Sequence, residues 1–348
     1  MPHRLSVLLG LFVAGLMMAV FPSVGAMPQP QRIVAIGDLH GDYGAWRDIA
    51  HAAGLVDRDG HWTGRRTILV QTGDVVDRGP DSLKIIRDIR RLGSEASRAG
   101  GRVIALVGNH EAMNITGDLR YVHSGEFAAF RGPDSASLRK RYFADHHHSI
   151  SEAWRRSAPS LTDREIRAAW ERSTPLGFIE HRQAWHPTGE IGAWVIRNPA
   201  AVKLDGLVFV HGGLSSAYSK LSLREINNRV GSALSNRDAR DNAIINDPSG
   251  PLWYRGLIRR EESDQQDEAI ASAEEELAAV LHAYQARAIV VGHTPNLSGI
   301  KISNGGRLAR IDTGISQHYG GRLTYLEVIG GRLIPRAVER STAREGGR

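Results

Sequence analysis

No cysteine occurs anywhere in this 348-residue chain. That excludes disulfides, thiolate metal ligands, a cysteine nucleophile and a lipid-modified cysteine anchor. It suits an oxidising compartment without requiring one. Blocks of basic residues are absent as well. The formal charge is +6, mildly basic and spread over mixed-sign surface, so there is no Lys/Arg stripe of the kind that binds nucleic acid. The runs that do gather charge, Arg259 to Glu268 and Glu274-Glu275-Glu276, read as solvated faces. No internal repeat and no clear linker divides the sequence, and its length suits one large domain or two. With 41% hydrophobic and 24% charged residues, the composition is that of a globular protein able to bury a substantial core.

Long apolar runs are almost absent. The exception, Leu5 to Phe21, follows the basic Arg4 and precedes Pro22, Ser23 and Val24-Gly25-Ala26. A short basic start, an apolar stretch and small residues form a signal-peptide pattern, with cleavage expected after Ala26. The apolar stretch, about 17 residues, touches the lower limit for a membrane span, so an uncleaved anchor is the alternative. The expectation is a signal peptide at 1–26, a single domain at 27–348, and a periplasmic or secreted protein free of the membrane once cleaved.

What the sequence does hold is a repeated grammar. Val103-Ile104-Ala105-Leu106-Val107 ends in Gly108-Asn109-His110-Glu111. Ile33-Val34-Ala35-Ile36 leads into Gly37-Asp38-Leu39-His40-Gly41-Asp42, and Thr67-Ile68-Leu69-Val70 leads into Gly73-Asp74-Val75-Val76-Asp77-Arg78-Gly79. Leu207-Val208-Phe209-Val210 precedes His211-Gly212-Gly213-Leu214, and Ala288-Ile289-Val290-Val291 precedes Gly292-His293-Thr294-Pro295. Five apolar runs, each reading as a buried strand, stop abruptly in Gly, Asp, His or Asn. Polar groups gathered at buried strand ends are costly as plain structure and suit a site for a metal and a phosphate.

These residues resemble the metallophosphoesterase superfamily, specifically the phosphoprotein phosphatases of serine/threonine type (PPP). The pattern GDxHG, GDxxDRG, GNHE, HGG and GH is complete and in order, and the likeness runs from about Arg32 to about Val338. The long spacing from His110 to His211, the signal-like N-terminus and Asp312-Thr313-Gly314-Ile315-Ser316 are similar to the bacterial Shewanella-like branch. Family members often carry Tyr at or near Val75, where this chain departs without losing a ligand.

Residues 32–110 read as β-α-β-α-β. Tyr43 to Leu55 carries Trp46, Ile49, Ala50 and Ala53 on one side; Pro80 to Leu92 carries Leu83, Ile86 and Ile89 at helical spacing, with an end expected near Gly93. Between the third and fourth motifs, an insert at about 119–199 is predicted to hold helices at Leu119 to Arg131, Ser135 to Arg156 and Thr162 to Arg172. Thr162-Asp163-Arg164-Glu165 is a capping-box candidate. Trp154, Trp170, Trp185 and Trp194 fit packing better than function, although the insert as a whole suits a cap over the site. His146-His147-His148 reads as a polar helix face, because consecutive helical residues point in different directions. Residues 223–287 read as helical. Gly305-Gly306 suits a hairpin, and Arg322 to Ile329 and Arg332 to Val338 alternate as strands around Gly330-Gly331. The pattern alone gives α/β; the resemblance implies a β-sandwich flanked by helices.

The resemblance also implies the chemistry. One metal would take Asp38, His40 and Asp74, and a second Asp74, Asn109, His211 and His293, with Asp74 bridging ions roughly 3.5–4 Å apart. Sulfur-free N/O ligands suit Mn, Fe or Zn. Two such ions offset the phosphate's charge and lower the pKa of a water that attacks phosphorus, which suits a chain with no cysteine nucleophile. His110 is the candidate general acid, Asp77 the carboxylate that orients it and keeps it protonated, and Arg78 a planar fork for phosphate oxygens. Arg255, in Leu252-Trp253-Tyr254-Arg255-Gly256, is a second phosphate arginine on a looser match. Glu111 suits hydrogen bonds behind the ligands, and Asp312 a structural role.

The leading expectation is an exported binuclear-metal phosphomonoesterase for phosphoproteins or phosphopeptides, with the branch implying a tilt toward phosphotyrosine. Hydrolases of dinucleoside polyphosphates share all five motifs and are the enzymatic alternative. A metal-binding scaffold on a decayed phosphatase fold is the non-enzymatic one; decay deletes ligands or the acid, and none is missing.

Overall fold

The computed structural model describes residues 31–259 and 266–341; the signal-like segment at 1–26 lies outside them. The first half opens with β1 (Ile33–Ile36), α1 (Tyr43–Ala52), β2 (Ile68–Gln71), α2 (Ser82–Arg98) and β3 (Arg102–Ala105). β1, β2 and β3 are parallel neighbours. The hairpin of β9 (Leu323–Ile329) and β10 (Arg332–Val338) completes this sheet antiparallel to β1, giving the order β10-β9-β1-β2-β3. The second sheet holds β4 (Ala201–Leu204), β5 (Leu207–Val210), β6 (Ala288–Val291), β7 (Lys301–Ser303) and β8 (Leu308–Arg310) in the order β4-β5-β6-β8-β7.

The two sheets pack face to face, and the period of two along each strand decides what lies between them. Ile33, Ala35, Ile68, Val70 and Ile104 from one sheet meet Leu207, Phe209, Ala288, Val290 and Ala309 from the other in one buried cluster. The alternate residues Val34, Ile36 and Leu69 join the helix-side core with Trp46, Ile49, Ile86 and Leu92. Central strands covered on both faces must be apolar throughout, which is why the motifs announce themselves as unbroken runs. This is the expected sandwich flanked by helices.

Differences from expectation have local causes. α2 does not stop at Gly93 but continues to Arg98. Ala96 extends the buried stripe, Arg91 and Glu95 pair at 2.6 Å one turn apart, and Gly93 faces open space. After α3 (Asn109–Thr116), the helix expected at Leu119 to Arg131 shrinks to α4 (Ser124–Ala129), and Ser135 to Arg156 divides into α5 (Ser135–Asp145) and α6 (His147–Ser157). The division falls at His146, which leaves helical geometry (φ −114°, ψ 14°) and stacks its ring on Tyr142. α7 (Asp163–Ser173) begins with the expected capping box of Thr162 and Glu165, and α8 (Phe178–Trp185) and α9 (Glu190–Arg197) complete the insert. Trp170 packs on Phe143, and Trp185 enters the main core, so these two serve packing. His146, His147 and His148 are exposed. Residues 223–287 are less helical than expected. α10 (Leu223–Ser235), α11 (Gly256–Arg259) and α12 (Gln266–Ala283) leave 236–255 irregular. Pro248, Gly250 and Pro251 fall within that stretch and oppose a continuous helix. No helix among the described residues is long and apolar enough to cross a membrane.

Candidate active site

The five motifs leave their strands at the same end of the sandwich, and their turns interlock. Leu39 and His40 donate backbone N–H to the Asp74 carbonyl at 3.0 Å, and His110 N–H donates to Asp74 Oδ1 at 3.0 Å. His293 N–H lies 3.1 Å from both oxygens of Asp38. Space is so short that a Cβ on Gly108 would stand 2.2 Å from Asp74 Oδ1, and one on Gly292 would stand 2.5 Å from Asp38 Oδ1. His40, Asp74, Asp77, Arg78 and His293 all hold left-handed backbone, with φ of 44°, 56°, 68°, 68° and 65°. Such concentrated strain persists only where surrounding structure over-determines it. Glu111 supplies part of that determination. Its carboxylate accepts from the N–H groups of Asp74, Val75 and Gly108 at 2.9, 2.8 and 2.8 Å, the supporting role expected of it.

Asp74 stands at the centre. Its Oδ2 lies 3.3 Å from His211 Nε2, 3.8 Å from His110 Nε2 and 3.9 Å from His40 Nε2. His40 Nε2 is also 4.0 Å from Asp38 Oδ2, and Asn109 Oδ1 is 2.9 Å from His211 Nε2. The groups His40–Asp74–His110 and Asp74–His211–His293 each bring ligand-type atoms close enough to share one ion, with Asp74 in both. The tautomers sharpen this. His211 Nδ1 lies 2.9 Å from the Thr72 carbonyl, and His40 Nδ1 lies 3.0 Å from the Val76 carbonyl. A carbonyl only accepts, so each Nδ1 carries the proton. In the neutral ring Nε2 then presents a lone pair, aimed at the oxygens of Asp74 and Asn109 for His211, and of Asp74 and Asp38 for His40. Converging lone pairs repel unless a cation lies among them. Among the described residues, buried His293 Nε2 and Asp312 Oδ2 have no hydrogen-bond partner. The donor set therefore fits metal ions, with no thiolate and a shared carboxylate.

Electrostatics point the same way. Burial, with Asp312 and Asp74 nearby, pushes the Asp38 carboxyl well above its usual range. Burial pushes His40 down to about 3 and lowers His293 as well, favouring the neutral, ligating form. Burial would raise Asp74 too, but His211 and His110 in their charged forms outweigh it and keep the carboxyl well below its usual range, a part that falls to a cation where the ring is neutral.

His110 behaves differently. Its Nδ1 lies 2.6 Å from Asp77 Oδ2, while Asn114 Nδ2 donates to Asp77 Oδ1 at 2.9 Å. Burial disfavours the imidazolium, yet Asp74 and the Asp77 hydrogen bond prevail, and the His110 pKa is raised. The result is a histidine whose protonated form is favoured beside the carboxylate cluster. Arg78 and Arg255 flank it. Arg78 places its guanidinium 3.8 Å over the Tyr121 ring and leaves Nε buried without a partner. Arg255 reaches Thr294 Oγ1 at 3.2 Å and lies 3.5 Å from His293 Nδ1.

All ten expected site residues thus fall in one region. Asp312, expected in a structural role, is buried with the two central aspartates, and burial pushes it to about 6. Others were not foreseen. Tyr121 touches His110 at 5.1 Å between ring centres, Tyr319 touches His40 at 5.4 Å, and Trp253 meets His293 at 5.6 Å. Glu126 of α4 accepts the Asp77 N–H at 2.9 Å. Asn114 was legible in principle, standing one turn after His110 on α3. Tyr121 and Glu126 belong to the insert, where no local pattern marks them. The start of the insert thus reaches the site, whereas α5, α6 and α7 pack among themselves and against α8.

Comparison with known proteins agrees with this geometry. The model for the calcineurin-like phosphoesterase family matches residues 31–297. A protein of Schizosaccharomyces pombe described as uncharacterized is 32% identical over 86% of this chain and 77% of its own length. Shewanella-like protein phosphatase 2 of Arabidopsis thaliana is 30% identical over 83% of this chain and 72% of its own. Among solved structures, the cold-active protein-tyrosine phosphatase of a psychrophilic Shewanella species superposes with a TM-score of 0.62 at 25% identity, covering 90% of this chain and 83% of that one. On the fold, the motif-built site and these relatives, the chain belongs to the calcineurin-like phosphoesterases and is a metal-dependent phosphatase.

Proposed function

We propose that this chain is an exported phosphomonoesterase that hydrolyses phosphoprotein or phosphopeptide esters with two metal ions, favouring phosphotyrosine. The observation that carries the reading is the convergence of lone pairs on Asp74, with the hydrogen-bonded His110–Asp77 pair alongside. Asp38, His40 and Asp74 would hold one ion, and Asp74, Asn109, His211 and His293 the other; Mn or Fe suits these donors, with Zn possible. When bound, the ions supply charge neutralisation for the phosphate and a water of lowered pKa. Arg78 and Arg255 bind and orient phosphate oxygens through their N–H groups. His110 stands ready to deliver the Nε2 proton to the leaving oxygen, and Asp77 fixes its tautomer through Nδ1.

The phosphotyrosine tilt draws on the tyrosine-phosphatase relative and on Tyr121, Tyr319 and Trp253 around the histidines, which offer aromatic contact to a phenyl ring. A panel of phosphotyrosine peptide, phosphoserine peptide and diadenosine tetraphosphate tests it. The phosphotyrosine peptide is expected to give the highest kcat/KM; preference for the dinucleotide would replace this reading. Export draws on Arg4, Leu5 to Phe21 and Val24-Gly25-Ala26. The mature protein is expected to begin at Met27 in the periplasm or medium, and full-length protein in the cytosol would contradict it.

A further inference from the structure

Away from the motifs, a cleft of about 830 Å³ lies along the edge of the second sheet, between β4, α9 and α10, with Arg102 of β3 on its rim. Arg102, Arg197, Lys203 and Arg224 line it and are exposed, and no carboxylate is among the lining residues. Arg102, Arg197 and Arg224 make no ion pair with any described residue, whereas nearby Arg229 pairs with Glu225 at 2.7 Å. Unpaired cations gathered around one concavity create a local positive potential that attracts an anionic partner.

The floor says what kind. β4 is an edge strand with β5 on one side alone. On the other side Asn227 caps it, accepting from the N–H groups of Ala200 and Ala201 at 2.9 and 3.0 Å and donating to the Ala201 carbonyl at 2.9 Å. Strand geometry repeats every two residues, so the N–H and C=O of Lys203 face the same way. Among the described residues they meet no such cap. Val202, Leu204, Leu223 and Ile196 add apolar contact between the cations. No aromatic residue lines the cleft, so the stacking platform that single-stranded nucleic acid uses is missing. A strand edge with apolar and cationic neighbours matches an extended peptide that pairs through its backbone and alternates acidic with apolar side chains.

We infer that this cleft docks an extended acidic segment of a partner protein, added as a strand beside Lys203. The site is independent of the phosphatase centre and uses none of its residues.

Fluorescence anisotropy of a labelled peptide alternating Glu and Val, titrated with the full chain, tests it. Binding should weaken with added salt. It should fall at least about tenfold in Arg197→Glu/Arg224→Glu, because like charges at an interface cost several kcal/mol. The milder Arg197→Gln/Arg224→Gln variant should lie between. Hydrolysis of nitrophenyl phosphate should be unchanged in both, which shows that they fold. N-methylation at alternate peptide bonds should abolish binding, since it removes the N–H groups a strand must offer. Unchanged affinity in both arginine variants, indifference to N-methylation, or tighter binding of a single-stranded oligonucleotide of equal charge would each overturn the proposal.

Discussion

The role given to His110 makes a graded prediction, because the need for a proton depends on the leaving group. A serine alkoxide leaves poorly without one, a tyrosine phenolate less poorly, and a nitrophenolate leaves readily. General acid catalysis is worth about 10²–10⁴-fold. His110→Ala should therefore lose about that factor on a phosphoserine peptide, less on phosphotyrosine and least on nitrophenyl phosphate. Asp77→Asn refines the test. The native Asp77 carboxylate accepts from Asn114 on one oxygen and lies 2.6 Å from His110 Nδ1 on the other. An amide would turn its NH₂ toward one of these donors. Replacing a charge-assisted hydrogen bond by a neutral one costs about 1–2 kcal/mol, and the imidazole pKa falls with it. The raised His110 value keeps the proton available toward higher pH, so lowering it must cut activity first on the alkaline side. In kcat–pH profiles of Asp77→Asn, the alkaline limb for phosphoserine should move toward acid, while that for nitrophenyl phosphate stays in place. If His110→Ala slowed all three substrates equally, with metal content unchanged, His110 would be stabilising bound phosphate and the acid role would be withdrawn.

Three further predictions concern residues outside the metal set. Tyr121→Ala removes the face on which Arg78 lies; a cation–π contact of about 0.5–2 kcal/mol implies a rise in KM of about 2- to 30-fold, with Tyr121→Phe close to wild type. His181 is fully buried among Phe127, Phe130 and Trp185 with both ring nitrogens unpartnered, and burial pushes it down to about 3. The unfolded chain takes up its proton below about 6.5, so wild-type stability should fall by about 2–3 kcal/mol between pH 6.5 and 4.5 on this account alone. His181→Phe should remove that share of the slope in urea melts, and an unchanged slope would show that the ring is solvated. Glu327 holds Arg32 at 2.6 Å and Arg336 at 2.8 Å, and despite burial these arginines keep its carboxyl below the usual range. Glu327→Gln should cost about 1–3 kcal/mol near pH 7. The difference should vanish as acid takes wild type through the depressed folded pKa, and a gap that persisted there would have another source.

The reach of the sequence is uneven for physical reasons. Val34, Val70, Val208 and Val290 lie in strands covered on both sides, so burial wrote their runs plainly, and the polar residues that end them stood out. The candidate metal donors and the His110–Asp77 pair were legible because each sits on a fixed turn. Gly93 was misleading because a helix tolerates glycine on a face that packs against nothing. His146 divided a long helix because the insert must fold back on itself, a tertiary demand absent from local pattern. Tyr121 and Glu126 reach the site from the insert, and neither spacing nor propensity records such contacts.

The central claim is that Asp74 is shared by two ions without which the site does not hydrolyse phosphate esters. It is tested most directly by metal analysis of purified wild type and Asp74→Asn, paired with assays before and after chelation. About two ions per wild-type chain are expected, with loss of activity on chelation and recovery on adding Mn, and an Asp74→Asn protein that is folded, metal-poor and almost inactive. Full activity in the metal-stripped wild type would contradict it.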